Sequence, residues 1–393
     1  MAEIDRRDAL AALTIGGAGL TLPGWAMPAT AGAPRLADFP EKRGMLIRRQ
    51  RAPLLETPFE VFDQGIITPN DRFFVRWHYD DIPLSVDVAS FRLRVGGQVK
   101  TPIALSLADI LKMPRVEVTA VNQCSGNSRS AFAPRVPGAQ WADGAMGNAV
   151  WTGVRLKDVL ARAGVKPGAV AVRLSGLDRP PGEAPWYAKS LDIDHALGDD
   201  VMIAFAMNGQ QLPLLNGFPL RVVVPGWFST YWVKALDRIE VLAAPDTSYW
   251  MAKAYQIPTA SRANVPPGAH DFAKAPISRM IPRAFITNRA SGPAPASRPI
   301  ALRGIAFGGD SGVAKVELSV DNGQRWKAAR LGRDHGQYSF RGWDLTLPGM
   351  PRGQHTVMVR ATNTKGETQR PDAIWNPSGY MLNNVQRIVL DAA

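Results

Sequence analysis

A single cysteine, Cys124, stands among the 393 residues of this chain, and that one fact removes covalent staples from the ways the fold can be held. One thiol forms no internal disulfide and no all-protein zinc or iron–sulfur cage, so stability must come from a hydrophobic core. The material for a core is present, since 46% of residues are hydrophobic and 20% charged, the balance of a soluble globular protein. Ahead of the cysteine, Val116, Val118 and Ala120 alternate with Glu117 and Thr119, the period-2 pattern of a half-buried strand. Cys124 is therefore expected just past a strand end, in the loop Ser125-Gly126-Asn127-Ser128, where backbone can approach a ligand. Two readings of the thiol stand on these residues: a small buried hydrophobe, or a group offered to a ligand.

The N-terminus reads as an address. Arg6-Arg7 precede a short apolar run over 9–22, and Ala29-Thr30-Ala31 supplies a small-residue cleavage pattern. These are the marks of a twin-arginine signal peptide over 1–33, which predicts a periplasmic protein without stable membrane insertion. The remaining length exceeds a typical domain and predicts two, a first domain over 34–255 and a linker plus second domain over 256–393. Net charge is +12, which suits anionic ligands or an acidic partner, but the basic residues are dispersed and no nucleic-acid motif is present. Nucleic acid is excluded as a partner.

The segment 34–69 is proline-rich and reads as surface loop. In the run that follows, Phe74, Arg76 and His78 fall on one face of a strand and Phe73, Val75 and Trp77 on the other. That is either an anion site or an edge strand with a solvated polar face. Ser106 is placed to cap a short helix ended by Pro114, and 156–163 reads as a helix with Gly164 beyond its end. Strand-like runs recur at 171–175, 201–206, 220–224 and 238–242, with Asn208-Gly209 and Pro225-Gly226 as turns. The stretch 256–299, crowded with proline, alanine and serine, reads as a boundary. Beyond it 314–320, 338–345 and 356–361 predict an all-β sandwich of immunoglobulin type. The fold class expected is α+β followed by that sandwich.

Taken together, Phe73-Phe74-Val75-Arg76-Trp77-His78, Cys124-Ser125-Gly126-Asn127-Ser128-Arg129, Met207-Asn208-Gly209-Gln210 and the run from Gly217 to Gly226 resemble the sulfite oxidase family of molybdenum enzymes. The layout is most similar to the exported bacterial sulfite dehydrogenases, and the resemblance spans nearly all of the chain beyond the signal. It implies a molybdenum centre on molybdopterin with Cys124 as the protein's ligand, a role that suits a soft thiolate. It also implies that Arg76 and Arg129 receive the substrate anion, aided by His78, Tyr255 and Trp141. Cofactor contacts implied in the same way fall on Phe74, Val75, Arg76, Trp77, His78, Asp178, Asn216, Arg221, Trp232, Val233 and Lys234.

The implied reaction is oxidation of sulfite to sulfate by oxygen-atom transfer, with electrons passing to a separate c-type cytochrome, since the sequence holds no Cys-x-x-Cys-His. A homodimer or heterocomplex fits a sandwich module of the dimerisation type. Two departures stand out. Asn216 occupies a position where vertebrate members have histidine, and Trp375-Asn376-Pro377-Ser378-Gly379-Tyr380 lacks the arginine they carry there. A sulfane dehydrogenase subunit or a sulfoxide reductase on the same scaffold is the alternative, and a cofactor-free binding protein is a third reading of a different class.

Overall fold

Residue 116 to residue 123 form the strand around which the first half is built, in a computed structural model that describes residues 36–39, 41–288 and 296–393. The expected signal peptide, with Arg6-Arg7, lies outside the described residues. Val116–Gln123 runs antiparallel to Met146–Arg155, in register from Val116 opposite Gly153 to Gln123 opposite Met146. Met202–Met207 pairs on the far side of Met146–Arg155 and carries both Gln210–Gln211 and Arg221–Val223. The two-residue turn at Asn208 and Gly209 has φ of 53° and 72°, the positive pair that Asn-Gly adopts readily in a hairpin.

A second five-stranded sheet runs in the order Ala188–Asp192, Ala171–Gly176, Leu236–Leu242, Leu93–Gly97 and Ile103–Leu105. Only Leu236–Leu242 and Leu93–Gly97 are parallel. The helix Leu156–Ala163 ends at Gly164, whose φ of +68° closes it, and buries Leu156, Val159, Leu160 and Ala163. Those side chains join Val121, Trp151, Leu174, Ile203 and Ile239 in one core. The short helix Leu107–Leu111 begins with a full capping box, Ser106 with Asp109.

The segment read as surface loop is instead sheet. Leu36–Phe39, Lys42–Arg49, Leu54–Glu56 and Val75–Arg76 form a four-stranded antiparallel sheet. Its charged residues hid the pattern, because even Lys42 points inward while Met45, Leu55, Val75 and Trp77 make a small core of their own.

The C-terminal part is a sandwich of two antiparallel four-stranded sheets. One holds Arg283–Ile286, Ile300–Phe307, Arg341–Leu347 and Arg330–Leu331; the other holds Lys327–Ala328, Val313–Ser319, Gly353–Asn363 and Gln386–Ala392. Leu302, Val316, Leu318, Trp343, Val357 and Val359 fill the space between them. The described part of the proline-rich boundary is ordered as well, with Gln256–Pro258 paired to Lys274–Pro276.

The two parts share a core. Phe285, Phe307 and Phe340 pack with Phe59 and Phe62, with ring centroids 5.6–5.9 Å apart. Val121 N–H donates to the carbonyl of Tyr338 at 2.9 Å, so the sandwich leans on the outer edge of the strand that leads to Cys124. After Gly353–Asn363 the chain runs back, and Met381 N–H donates to the carbonyl of Ser125 at 3.0 Å. Among the described residues no helix is long and apolar enough to cross a membrane.

Candidate active site

Cys124 is the first residue past Val116–Gln123 and is buried to 8% exposure. Its N–H donates to Ala145 O at 2.9 Å, Ser128 N–H to Ala142 O at 2.7 Å, and Asn127 Oδ1 accepts from Ala145 N–H at 2.9 Å. The loop is thus pinned along 142–145. Trp141 lies in the core beneath it, and its carbonyl accepts from Ser130 N–H at 3.0 Å. Trp141 supports the loop rather than lining the cleft.

Alternation over 73–78 sorts the neighbouring side chains. Phe74, Arg76 and His78 line one cleft with Cys124, while Val75 and Trp77 turn into the small core. Trp77 Nε1 donates to Leu215 O at 3.0 Å. Phe73 departs from the alternation, stacking on Phe74 at 5.6 Å and also reaching the cleft. Tyr255 completes the wall: its hydroxyl lies 2.7 Å from His78 Nε2, and its φ of +56° is unusual for an aromatic residue. Burial, followed by Arg76, Lys234, Lys189 and Arg49, holds His78 well below its ordinary pKa, so the imidazole is neutral. Burial pushes the Tyr255 phenol up, and it stays protonated.

Part of the cleft lining is cationic. Arg221 donates through Nη1 to Asn216 O at 2.9 Å and through Nη2 to Trp232 O at 3.4 Å, and its guanidinium lies over Trp151 at 4.8 Å. Lys234 Nζ donates to Arg76 O at 2.7 Å and sits 4.4 Å from the Trp77 ring centroid. No carboxylate among the described residues comes within ion-pair distance of Arg76, Arg221 or Lys234. Burial alone pulls Arg221 down to about 9, and burial with Arg221 pulls Lys234 down to about 7. Asp178, two residues beyond Ala171–Gly176, is pushed up by its own burial against the opposing pull of Lys234, but it does not reach the cleft. Val233 is likewise buried away from it, whereas Asn216 and Trp232 line it.

Arg129 is placed differently from the expectation that it faces an anion. Its Nε, Nη1 and Nη2 donate to the carbonyls of Gly379, Ala139 and Ser378 at 3.2, 3.2 and 3.3 Å. A Cβ at Gly126 or Gly138 would meet the guanidinium at 2.6 or 2.5 Å, so both glycines make room for it. The side chain braces the cysteine loop against the returning segment, whose Tyr380 stacks on Tyr255 at 5.5 Å.

Sequence reasoning missed several residues here. Asn122 and Ser125 line the cleft from either side of Cys124, and Tyr187 stacks on His78 at 3.6 Å. Lys42, from the sheet read as loop, donates to Phe73 O at 3.0 Å and to the carbonyl of Asn70 and Oδ1 of Asn216. Only Asn122 and Ser125 were within reach of a sequence signal, by flanking the cysteine.

Residues 79–250 match the family described as oxidoreductase molybdopterin binding domain, and residues 283–392 match the Mo-co oxidoreductase dimerisation domain. Sulfite oxidase of Gallus gallus is 34% identical over 367 residues, covering 88% of this chain and 78% of that protein. This chain belongs to the sulfite oxidase family. Sulfite oxidase of Arabidopsis thaliana is 29% identical over 392 residues, covering 93% of this chain and 98% of that protein. The fold matches the crystal structure of the sulfane dehydrogenase SoxCD from Paracoccus pantotrophus over 100% of both chains, with a TM-score of 0.76 at 24% identity.

The family's cofactor is molybdenum on molybdopterin, and the site's own chemistry fits it. Arg76 Nη1, Arg221 Nε, Ser125 Oγ and both amide atoms of Asn122 are buried in the cleft lining without a hydrogen-bond partner. Buried polar groups left unpaired are costly, and here they point into one space that also holds uncompensated cations and one soft thiol. A polar, anionic ligand carrying a soft metal satisfies all of them.

Proposed function

We propose that this protein is a sulfite dehydrogenase, oxidising sulfite to sulfate with water as the oxygen source and passing two electrons to a separate c-type cytochrome. The observation that carries this reading is the meeting of Cys124, the unpartnered Nη1 of Arg76 and the His78–Tyr255 pair in one cleft. When bound, the molybdenum cofactor supplies the two-electron redox and oxygen-atom-transfer chemistry, and Cys124 holds its metal. Arg221 and Lys234 hold the cofactor's anionic end, with Asn216 and Trp232 shaping the space between. Arg76 receives the substrate anion through its free guanidinium edge. Neutral His78 accepts or donates through Nε2 to the Tyr255 hydroxyl, so the pair orients an oxyanion and moves a proton at that oxygen. In this reading Arg129 acts by fixing the cysteine loop and seating Tyr380 behind Tyr255.

A sulfane dehydrogenase is the second reading. The segment from Trp375 to Tyr380 reaches the site through Tyr380 and brings no arginine, which leaves room for a less charged reduced-sulfur substrate. Purified, molybdenum-loaded protein assayed with sulfite and with a protein-bound persulfide, using cytochrome c as acceptor, separates the two. Turnover of sulfite at the higher kcat/KM is expected; preference for the persulfide would reverse the assignment. Export through Arg6-Arg7 to the periplasm belongs to the same proposal, and replacing both with lysine is expected to leave the protein in the cytoplasm.

A further inference from the structure

One buried cation belongs to the sandwich and yet meets the cysteine loop. Arg283 opens the strand Arg283–Ile286 and is buried to 5% exposure. Its Nη2 donates to Ser128 Oγ at 3.0 Å and its Nη1 to Gln123 Oε1 at 3.4 Å. These acceptors flank Cys124, one residue before it and four after. Both are themselves tied in: Asn127 Nδ2 donates to Gln123 Oε1 at 3.3 Å, and Ser128 Oγ donates to Asp143 Oδ1 at 2.6 Å. The Asp143 carboxylate stands 4.0 Å from Arg283, and the guanidinium lies over Phe285 at 4.5 Å.

Arg283 and Cys124 also line the same narrow crevice, together with Gln123, Ser125 and Asn127, and Arg283 Nε is buried without a partner. The strand cannot easily shift, because Gln369 Oε1 accepts from both Ala284 N–H at 2.8 Å and Ala361 N–H at 3.0 Å. A long cation is therefore held at a fixed place behind the thiol by the second domain. Guanidinium keeps its charge when buried, and its planar fork fixes two acceptors at once.

We propose that Arg283 is a positioning residue for the molybdenum centre, through which the β-sandwich sets the shape of the cysteine loop and stabilises the reduced centre electrostatically. This rests on the reading that Cys124 holds the metal. A fixed positive charge in a low-dielectric interior favours the more negative redox state of a nearby centre. Two domains thus contribute to one metal site, although only the first supplies its ligand.

The test uses full-length protein loaded with cofactor. Arg283→Met is expected to keep its far-ultraviolet circular dichroism and to shift the reduction equilibrium against the reduced centre by about tenfold, which is about 59 mV for a one-electron step. Arg283→Lys keeps the charge without the two-pronged geometry, and it is expected to recover more than half of that shift. A space-filling role would not show such rescue. An unchanged potential in fully loaded Arg283→Met overturns the inference.

If Arg283→Met does not fold, Arg283→Gln removes the charge while keeping a polar side chain that can still donate to Ser128 Oγ or Gln123 Oε1. That variant is expected to shift the potential in the same direction, and no shift in it overturns the inference equally. Failure of the underlying reading looks different, because Cys124→Ser would then retain molybdenum and turn over normally whatever Arg283 does.

Discussion

Cations in the cleft and cations on the sandwich are the same residue types put to opposite use. On the sandwich they are matched: the exposed Arg330 with Asp344 at 2.8 Å and Lys365 with Asp310 at 2.9 Å, and the half-buried Arg360 with Glu317 at 2.9 Å. In the cleft Arg76, Arg221 and Lys234 are unmatched by any carboxylate within ion-pair distance and pulled out of water. Exposed pairs contribute about 0–1 kcal/mol each, because water already solvates both partners. A buried charge left without its hydrogen bonds costs several times that. Folding alone does not explain the cleft, and an anionic ligand does.

The sharpest way to break the contrast is to remove the thiol that the cations surround. Cys124→Ser is expected to abolish sulfite turnover, with molybdenum below one-tenth of the wild-type content while the fold survives, since a hydroxyl is a poor soft-metal ligand. Metal analysis and an activity assay check it. Full turnover would leave the cations without an object.

Next in size is Lys234→Met, which separates ligand binding from folding. The cofactor is expected to dissociate roughly 10- to 150-fold faster, because a charge-assisted hydrogen bond to an anion contributes about 1.5–3 kcal/mol. Melting of the cofactor-free variant should be unchanged or higher, as an unmatched buried charge has been replaced by an apolar chain. The pH dependence follows with its sign. Burial and Arg221 pull Lys234 down to about 7, and a bound anion raises that value, so binding takes up a proton. Cofactor retention should therefore weaken as pH rises above about 7, and Lys234→Met should lose that slope. A pH-independent release rate in the wild type would detach Lys234 from the ligand.

Much of this was legible before any coordinates. The β-run into Cys124, the Asn208-Gly209 hairpin and the capped helix after Ser106 follow local rules of periodicity and turn chemistry, and they formed where those rules put them. The first sheet did not show itself, since its strand Lys42–Arg49 buries a lysine and spreads three arginines among its apolar residues, defeating any hydrophobic pattern. In the site, Arg76 and His78 were readable from alternation. Asp178 and Val233 came only by resemblance, and they lie outside the cleft lining. Arg283 and Lys42 were invisible for another reason. Each reaches the site's surroundings across more than a hundred residues of chain, so no window of sequence holds both partners.

Arg129 tests whether a buried cation satisfied by carbonyls behaves like the cleft or like the surface. It donates to three carbonyls and lacks the free edge of Arg76. Arg129→Gln is thus expected to lower the melting midpoint and loosen the 378–379 segment, while KM for sulfite in the fully loaded fraction rises less than threefold. Arg76→Gln, by contrast, should raise KM with an intact melt, by roughly tenfold or more. A large KM change in loaded Arg129→Gln would return that arginine to the substrate site.

The smallest effect is expected on the sandwich, and it closes the contrast from the other side. Arg330 is 81% exposed and Asp344 48%, so neither loses much water on pairing, and salt screens what attraction remains. Arg330→Ala should leave stability within the scatter of surface substitutions. It should leave cofactor retention and kcat/KM at wild-type values. Urea melts at low and high salt, run beside those of Lys234→Met, check it. If the exposed pair proved strongly stabilising, matched surface charge would be holding the sandwich together, and unmatched cations in the cleft would no longer single out a ligand site on energetic grounds.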